Sequence, residues 1–176
     1  MPRVLIWCLR IAGILAAAVV ILALVVLLAL TSSRARLGGS ARIPSLGGDV
    51  VVDRDDHGVP TIQASSQADA IRALGFLHGQ ERFFQMDLLR RTGAGDLAAL
   101  FGAAVLDMDL LARRHDVRGH MTTALRTLDS AERSLLEAYA EGVNAGLGSL
   151  RVRPPEYLLL RLTPQPWQPE DSLAVM

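Results

Sequence analysis

Twenty consecutive residues without a charge, Ile11 to Leu30, constrain this chain more than any other feature, and nearly all are Val, Ile, Leu or Ala. At about 1.5 Å per residue, a helix of that length reaches roughly 30 Å, the thickness of a bilayer's hydrocarbon layer. In water the run would be insoluble, and burying it would need a larger core than the rest of the chain can build. The run predicts a transmembrane helix over about 11–30, within a membrane anchor spanning residues 1–30. The rival is a cleavable signal peptide, whose apolar region is about 7–15 residues long and precedes a small-residue cleavage site. Here the run is longer, although Thr31, Ser32, Ser33 and Ala35 supply small residues. Both readings imply export. Charge does not orient the segment, because Arg3 and Arg10 lie before it while Arg34, Arg36 and Arg42 lie after.

Beyond the anchor the chain is slightly acidic, with sixteen arginines against eighteen acids. Nucleic-acid binding needs a basic surplus on one face, so that class is excluded. Every basic residue other than histidine is Arg, and none is Lys. The single cysteine, Cys8, allows neither an internal disulfide nor a cysteine-based metal site.

Residues 31–48, with Thr-Ser-Ser, Gly38-Gly39-Ser40, Pro44 and Gly47-Gly48, have the composition of a flexible linker. Asp49 to Ser65 predicts a β-hairpin: Val50 to Val52 are β-branched, Arg54-Asp55-Asp56-His57-Gly58 supplies the turn, and Val59 to Ala64 returns. Pro60 lacks a ladder N–H, which marks the return strand as an edge there. A helix follows, capped by Ser65 or Ser66 with Asp69 in its first turn. Its apolar stripe runs from Ala70 through Phe84 and Leu88 to the breakers Gly93 and Gly95. Asp96 to Phe101 predicts a short helix closed by Gly102, and Asp107 to about Leu128 a half-exposed helical stretch. Asp129-Ser130-Ala131-Glu132 resembles a capping box and opens a helix with Leu135, Leu136, Tyr139, Val143 and Leu147 on its apolar face. Gly146 and Gly148 are expected to end it. After Pro164 to Pro169, a final helix is expected with Pro169 at its first position and Glu170 and Asp171 in its first turn.

No group of residues here makes a persuasive active site, and no catalytic, cofactor-binding or metal-ligating residue is assigned. His57, His78, His115 and His120 fall in no ligand spacing such as H-x-x-x-H. His78 reads as a half-buried, hydrogen-bonded residue. Asp107 and Asp109 are two apart and so off a common helical face, while Asp55-Asp56 suits a turn. No serine lies in a G-x-S-x-G elbow. Phe83, Phe84 and Met86 fit core packing better than a substrate cleft, and Trp167, between prolines, reads as a staple fixing a loop.

Taken in order, several motifs resemble the start of the penicillin acylase family of N-terminal-nucleophile hydrolases. They are Val52-Asp53-Arg54-Asp55 with Gly58 to Ala64, Asp69-Ala70 with Ala73 to Arg82, and Phe84 to Leu88 with Arg90-Arg91 and Gly95 to Ala98. Phe101-Gly102, Ala138 to Ala145, Pro164 to Trp167 and Pro169 to Ala174 continue the series. Thr61 stands where the family often has His. The resemblance implies an exported zymogen that cuts itself into an α and a β chain. The new N-terminal Ser, or a related residue, of the β chain attacks a linear amide and its own amino group acts as base. An oxyanion hole of backbone N–H and an Asn side chain would serve the intermediate. The Asn is not Asn144, which belongs to the helix motif.

The expected fold class is α+β: an N-terminal transmembrane helix, then a β-hairpin and the mostly helical α-chain portion of an αββα sandwich, incomplete in residues 49–176. The expected function is that of the N-terminal part of an amide hydrolase precursor, acting on carbon–nitrogen bonds other than peptide bonds. Penicillins, cephalosporin side chains, acyl-homoserine lactones and lipopeptides are all candidate substrates, as in antibiotic biosynthesis or modification. The nucleophile, the self-cleavage site and any structural calcium of the full-length protein are expected beyond Met176, and the 176-residue chain alone is expected to be inactive and poorly stable. Expected partners are the lipid bilayer, the β-chain portion and a small-molecule amide, with the acylase-like part outside the cytoplasm. The alternative is a non-catalytic single-pass membrane protein whose helical domain binds a partner.

Overall fold

The computed structural model describes residues 2–175. Its first element is the helix α1 (Pro2–Ser32). None of the residues in the most apolar window of Ile6–Ser32 is buried, so the helix packs against no core of its own chain. Ser33 ends it and anchors it, its hydroxyl donating to the Arg153 carbonyl at 3.1 Å. Residues 34–50 form neither helix nor strand, and the Gly47 N–H donates to Asp69 Oδ1 at 2.9 Å.

The hairpin forms where expected. β1 (Val51–Arg54) pairs antiparallel with β2 (Pro60–Gln63), placing Val52 opposite Ile62 and Arg54 opposite Pro60. Asp55 Oδ1 accepts from the N–H groups of His57 and Val59, and Gly58 takes φ +79°, so the turn is held by its own side chain. The two strands make a sheet by themselves, and β1 leaves Val51 and Val52 exposed. A lone hairpin is marginal in water. Here Arg54 ties it to the helical body through an ion pair with Glu81.

The helical body begins with α2 (Gln67–Glu81), capped by Ser66. Three boundaries differ from the sequence reading. The long stripe is broken at Arg82, which leaves helical geometry (φ −143°, ψ 22°) and starts α3 (Phe83–Ala94) on a new axis. The break turns Phe83, Met86, Asp87 and Arg90 to the inside together. After α4 (Ala98–Phe101) and a 3₁₀ turn, the stretch 107–128 is two helices, α5 (Leu106–Arg114) and α6 (Val117–Thr127). They are parted by Asp116, at φ +45°, whose side chain accepts from Gly119 N–H. The capping box at Asp129 and Glu132 opens α7 (Ser130–Gly148) as expected.

Gly146 does not end α7. It is buried inside it, and with Gly142 it lets α7 lie backbone-to-backbone on α2. A Cβ at Gly142 would overlap the Arg72 carbonyl, and one at Gly146 the Phe76 carbonyl. Gly75 and Gly79 present the same bareness from α2 towards Tyr139 and Val143. Glycine spaced four apart on both helices thus lets the two backbones touch. Under this pair, Phe83, Met86, Ala140, Val143, Tyr157 and Trp167 form the core. The short helices α8 (Pro155–Leu159) and α9 (Pro169–Ala174) contribute Tyr157 and, through the turn before α9, Trp167.

Candidate functional site

The chemistry-bearing residues that the fold brings together are Asp87 and Arg90 on α3, Tyr157 on α8, and Trp167, Asp171 and Ser172 around α9. Spacing of three puts Asp87 and Arg90 on one face of α3, and Arg90 Nε donates to Asp87 Oδ1 at 2.7 Å. Arg90 Nη1 donates to Asp171 Oδ2 and to the Pro166 carbonyl, and Nη2 to the Gln165 carbonyl, each at 2.8 Å. The guanidinium also lies over the Trp167 ring, 5.2 Å from its centre. Tyr157 donates its hydroxyl proton to Asp87 Oδ2 at 2.6 Å, and Arg91 Nε donates to the same oxygen at 3.0 Å. Trp167 Nε1 donates to Ser172 Oγ at 2.9 Å. Asn144 on α7 closes the ring: its side chain donates to the Trp167 carbonyl and accepts from the Trp167 N–H.

The electrostatics are those of a satisfied ionic core. Burial opposes the charge on Asp87, but the hydrogen bonds from Tyr157 and Arg90, with the Arg90 charge, outweigh it and hold the carboxyl below its ordinary range. Burial likewise opposes the Arg90 charge, and its two aspartates more than compensate. Burial and then the bond to Asp87 push the Tyr157 hydroxyl well up, which keeps it a donor. Every polar atom of Asp87 is used, and the side chain is fully enclosed. The void beside Arg90, bounded by Arg118, Met121 and Asp171, measures about 10 Å³, room for one water at most. These groups are buried and satisfied by one another, so the arrangement clamps α3, α8 and α9 together.

The residues weighed from sequence are scattered. His57 lies in the hairpin turn, His115 caps the C-terminus of α5, and His120 is exposed on α6. His78 is half-buried and hydrogen-bonded, as expected, its Nδ1 2.7 Å from the Tyr139 hydroxyl. Burial, then the Arg82 charge, lower its pKa, so we assign it as neutral with Nδ1 accepting. Asp107 is exposed, while Asp109 is buried and accepts from the Leu97 and Ala98 N–H groups at 2.9 and 2.7 Å, capping α4. Phe83 and Met86 are core, and Trp167 is the staple its prolines announced. Among the described residues no three His, Cys, Asp or Glu side chains are grouped to hold a metal ion. What the sequence reading missed is the clamp. The signal was there in Asp87-x-x-Arg90 and in the Pro-Trp-x-Pro-Glu-Asp run, but nothing along the chain links positions 70 to 81 residues apart.

The architecture thus combines a two-stranded hairpin, a glycine-faced helix pair and a buried ionic cluster. The chain belongs to the penicillin amidase family, whose family model matches residues 49–176. It is 45% identical over 140 residues to the penicillin acylase 2 proenzyme of Pseudomonas sp. strain SE83, covering 80% of this chain and 18% of that protein. It is 34% identical over 134 residues to the acyl-homoserine lactone acylase QuiP of Pseudomonas fluorescens strain Pf-5, covering 76% of this chain and 17% of that one. Among solved structures it resembles the thermostable penicillin G acylase of Alcaligenes faecalis, at 30% identity and a TM-score of 0.66, over 72% of this chain and 69% of that chain. The chain thus spans less than a fifth of the length of the curated relatives it matches.

Proposed function

We propose that this chain is the N-terminal, scaffolding part of a self-processing acylase that cleaves linear amides. The observation that carries the reading is the match of residues 49–176 to the penicillin amidase family together with acylase names among the relatives. In this reading the helical body and hairpin form the α-chain edge of an αββα sandwich. The nucleophile, its self-cleavage site and the acyl pocket lie outside these residues, as does any structural calcium. The exposed strands β1 and β2 and the bare apolar surface of α5, with Met108, Leu110 and Leu111, support it, since they are unfinished faces within one chain.

The helix α1 serves in this reading as an uncleaved anchor that holds the acylase on the exported side of the membrane. Its support is the length of the apolar run and its complete lack of burial. The acyl group is drawn from the classes that the relatives' names give, penicillins and acyl-homoserine lactones. The test is to incubate the purified chain with phenylacetyl, glutaryl and long-chain acyl amides. No turnover is expected from the 176 residues alone, and hydrolysis abolished by changes within 49–176 would overturn the scaffold reading.

A further inference from the structure

A cavity of about 350 Å³ opens where α1 meets the body, lined by Thr31, Arg34, Arg36, Gln80, Ser149 and Arg151 among others. Three exposed arginines therefore border one space. None of the three has an ion-pair partner within 4 Å among the described residues, so no carboxylate neutralises the charge around the void. Nor do they serve as helix caps. The last carbonyls of α7 are taken by the Ser149 and Leu150 N–H groups, and that of Ala29 in α1 by Ser33 N–H. Like charges around a common void repel, and an anion seated among them removes that repulsion.

The position says which anion. The apolar run ends at Leu30 and α1 at Ser32, so Arg34, four residues past the run, falls in the headgroup layer flanking the hydrocarbon. The void is fixed there by two contacts: Ser33 donates to the Arg153 carbonyl, and Gln80 Nε2 donates to Ser149 Oγ at 2.8 Å. Guanidinium matches phosphate oxygens with paired N–H donors. We propose that this cavity binds a phosphate group, supplied by the headgroup of an anionic phospholipid in the leaflet that the folded part faces. The proposal rests on the reading of α1 as an uncleaved span. The bound headgroup would fix the tilt of the body on the membrane.

The test uses the full chain in neutral detergent, with lipid retention read by native mass spectrometry. Phosphatidylglycerol, phosphatidylcholine and inorganic phosphate are added separately. Phosphatidylglycerol is expected to be retained roughly tenfold over phosphatidylcholine, and the triple variant Arg34→Ala, Arg36→Ala, Arg151→Ala to lose that preference. Arg114→Ala with Arg126→Ala, which removes two exposed charges away from the cavity, is expected to keep it. Equal retention of both lipids by the unaltered chain, retention unaffected by the triple variant, or loss in the Arg114 and Arg126 variant would each overturn the proposal. Saturation by millimolar inorganic phosphate without lipid preference would also overturn it, showing a site for the free anion. Membrane retention after carbonate washing reads the anchor separately: a washed-off, shortened chain sinks the span, while a retained chain without lipid preference sinks only the cavity.

Discussion

At the scale of single residues, the buried ionic cluster turns on Asp87. It compensates Arg90, receives Tyr157 and Arg91, and is completely enclosed. Removing one partner from a buried pair costs about 3–5 kcal/mol, because the other charge is left uncompensated. Asp87→Asn is accordingly expected to unfold the helical body, read as loss of the near-ultraviolet dichroism of Trp167 and Tyr157. An unchanged spectrum would mean that the clamp is dispensable. Asn144→Ala removes both bonds to the Trp167 backbone and is expected to cost about 1–3 kcal/mol in urea unfolding. His78 gives a pH signature. Its folded pKa lies below the ordinary 6.5, so the unfolded chain takes up the proton first. The stability it contributes is complete above pH 6.5 and is lost as pH falls through the folded pKa. In His78→Gln this part of the acid slope is expected to vanish, and an unchanged slope between pH 6.5 and the folded midpoint would contradict the assignment.

At the scale of elements, the α2–α7 contact is built from what its helices lack. A methyl at Gly142 meets the backbone of Arg72 and Phe76, which cannot swing aside as a side chain can. Gly142→Ala is expected to destabilise by about 1–3 kcal/mol through overpacking. Gly148→Ala, at the end of the same helix with no atom within 4 Å, is expected to be neutral or to stabilise by up to about 1 kcal/mol. Thermal midpoints of the two variants separate the cases, and equal midpoints would refute the close-approach reading. Much at this scale was legible along the chain. The hairpin turn, the Ser66 cap, the Asp129–Glu132 box and Pro169 at the start of α9 are local chemistry, decided within a few residues. The breaks at Arg82 and Asp116 were not, because each is set by what the following helix packs against. Gly146 shows the same limit: a glycine near a helix end reads as a stop until a second helix is seen lying on it.

At the scale of the whole molecule, the ordered motifs identified the family, and the fold with its helical body and two-stranded sheet agrees with a solved acylase. The clamp was not legible, since it joins side chains on α3, α8 and α9 that only tertiary structure brings together. The family motifs nonetheless contain most of its members: Asp87, Arg90, Asn144, Trp167 and Asp171 stand in the motif stretches, and Tyr157 does not. The two-stranded sheet stands by itself and α5 leaves Met108, Leu110 and Leu111 exposed, the faces that under the proposed function would meet the rest of an acylase.

The most direct measurement is a graft. The matched stretch of the penicillin acylase 2 proenzyme is replaced by the corresponding residues of this chain, and self-cleavage is followed on a gel alongside hydrolysis of an acyl amide. The account expects a precursor that cuts itself into two chains and turns over substrate, with both lost when Asp87→Asn is added. A folded graft that never cuts itself, or one whose processing ignores Asp87→Asn, would contradict it.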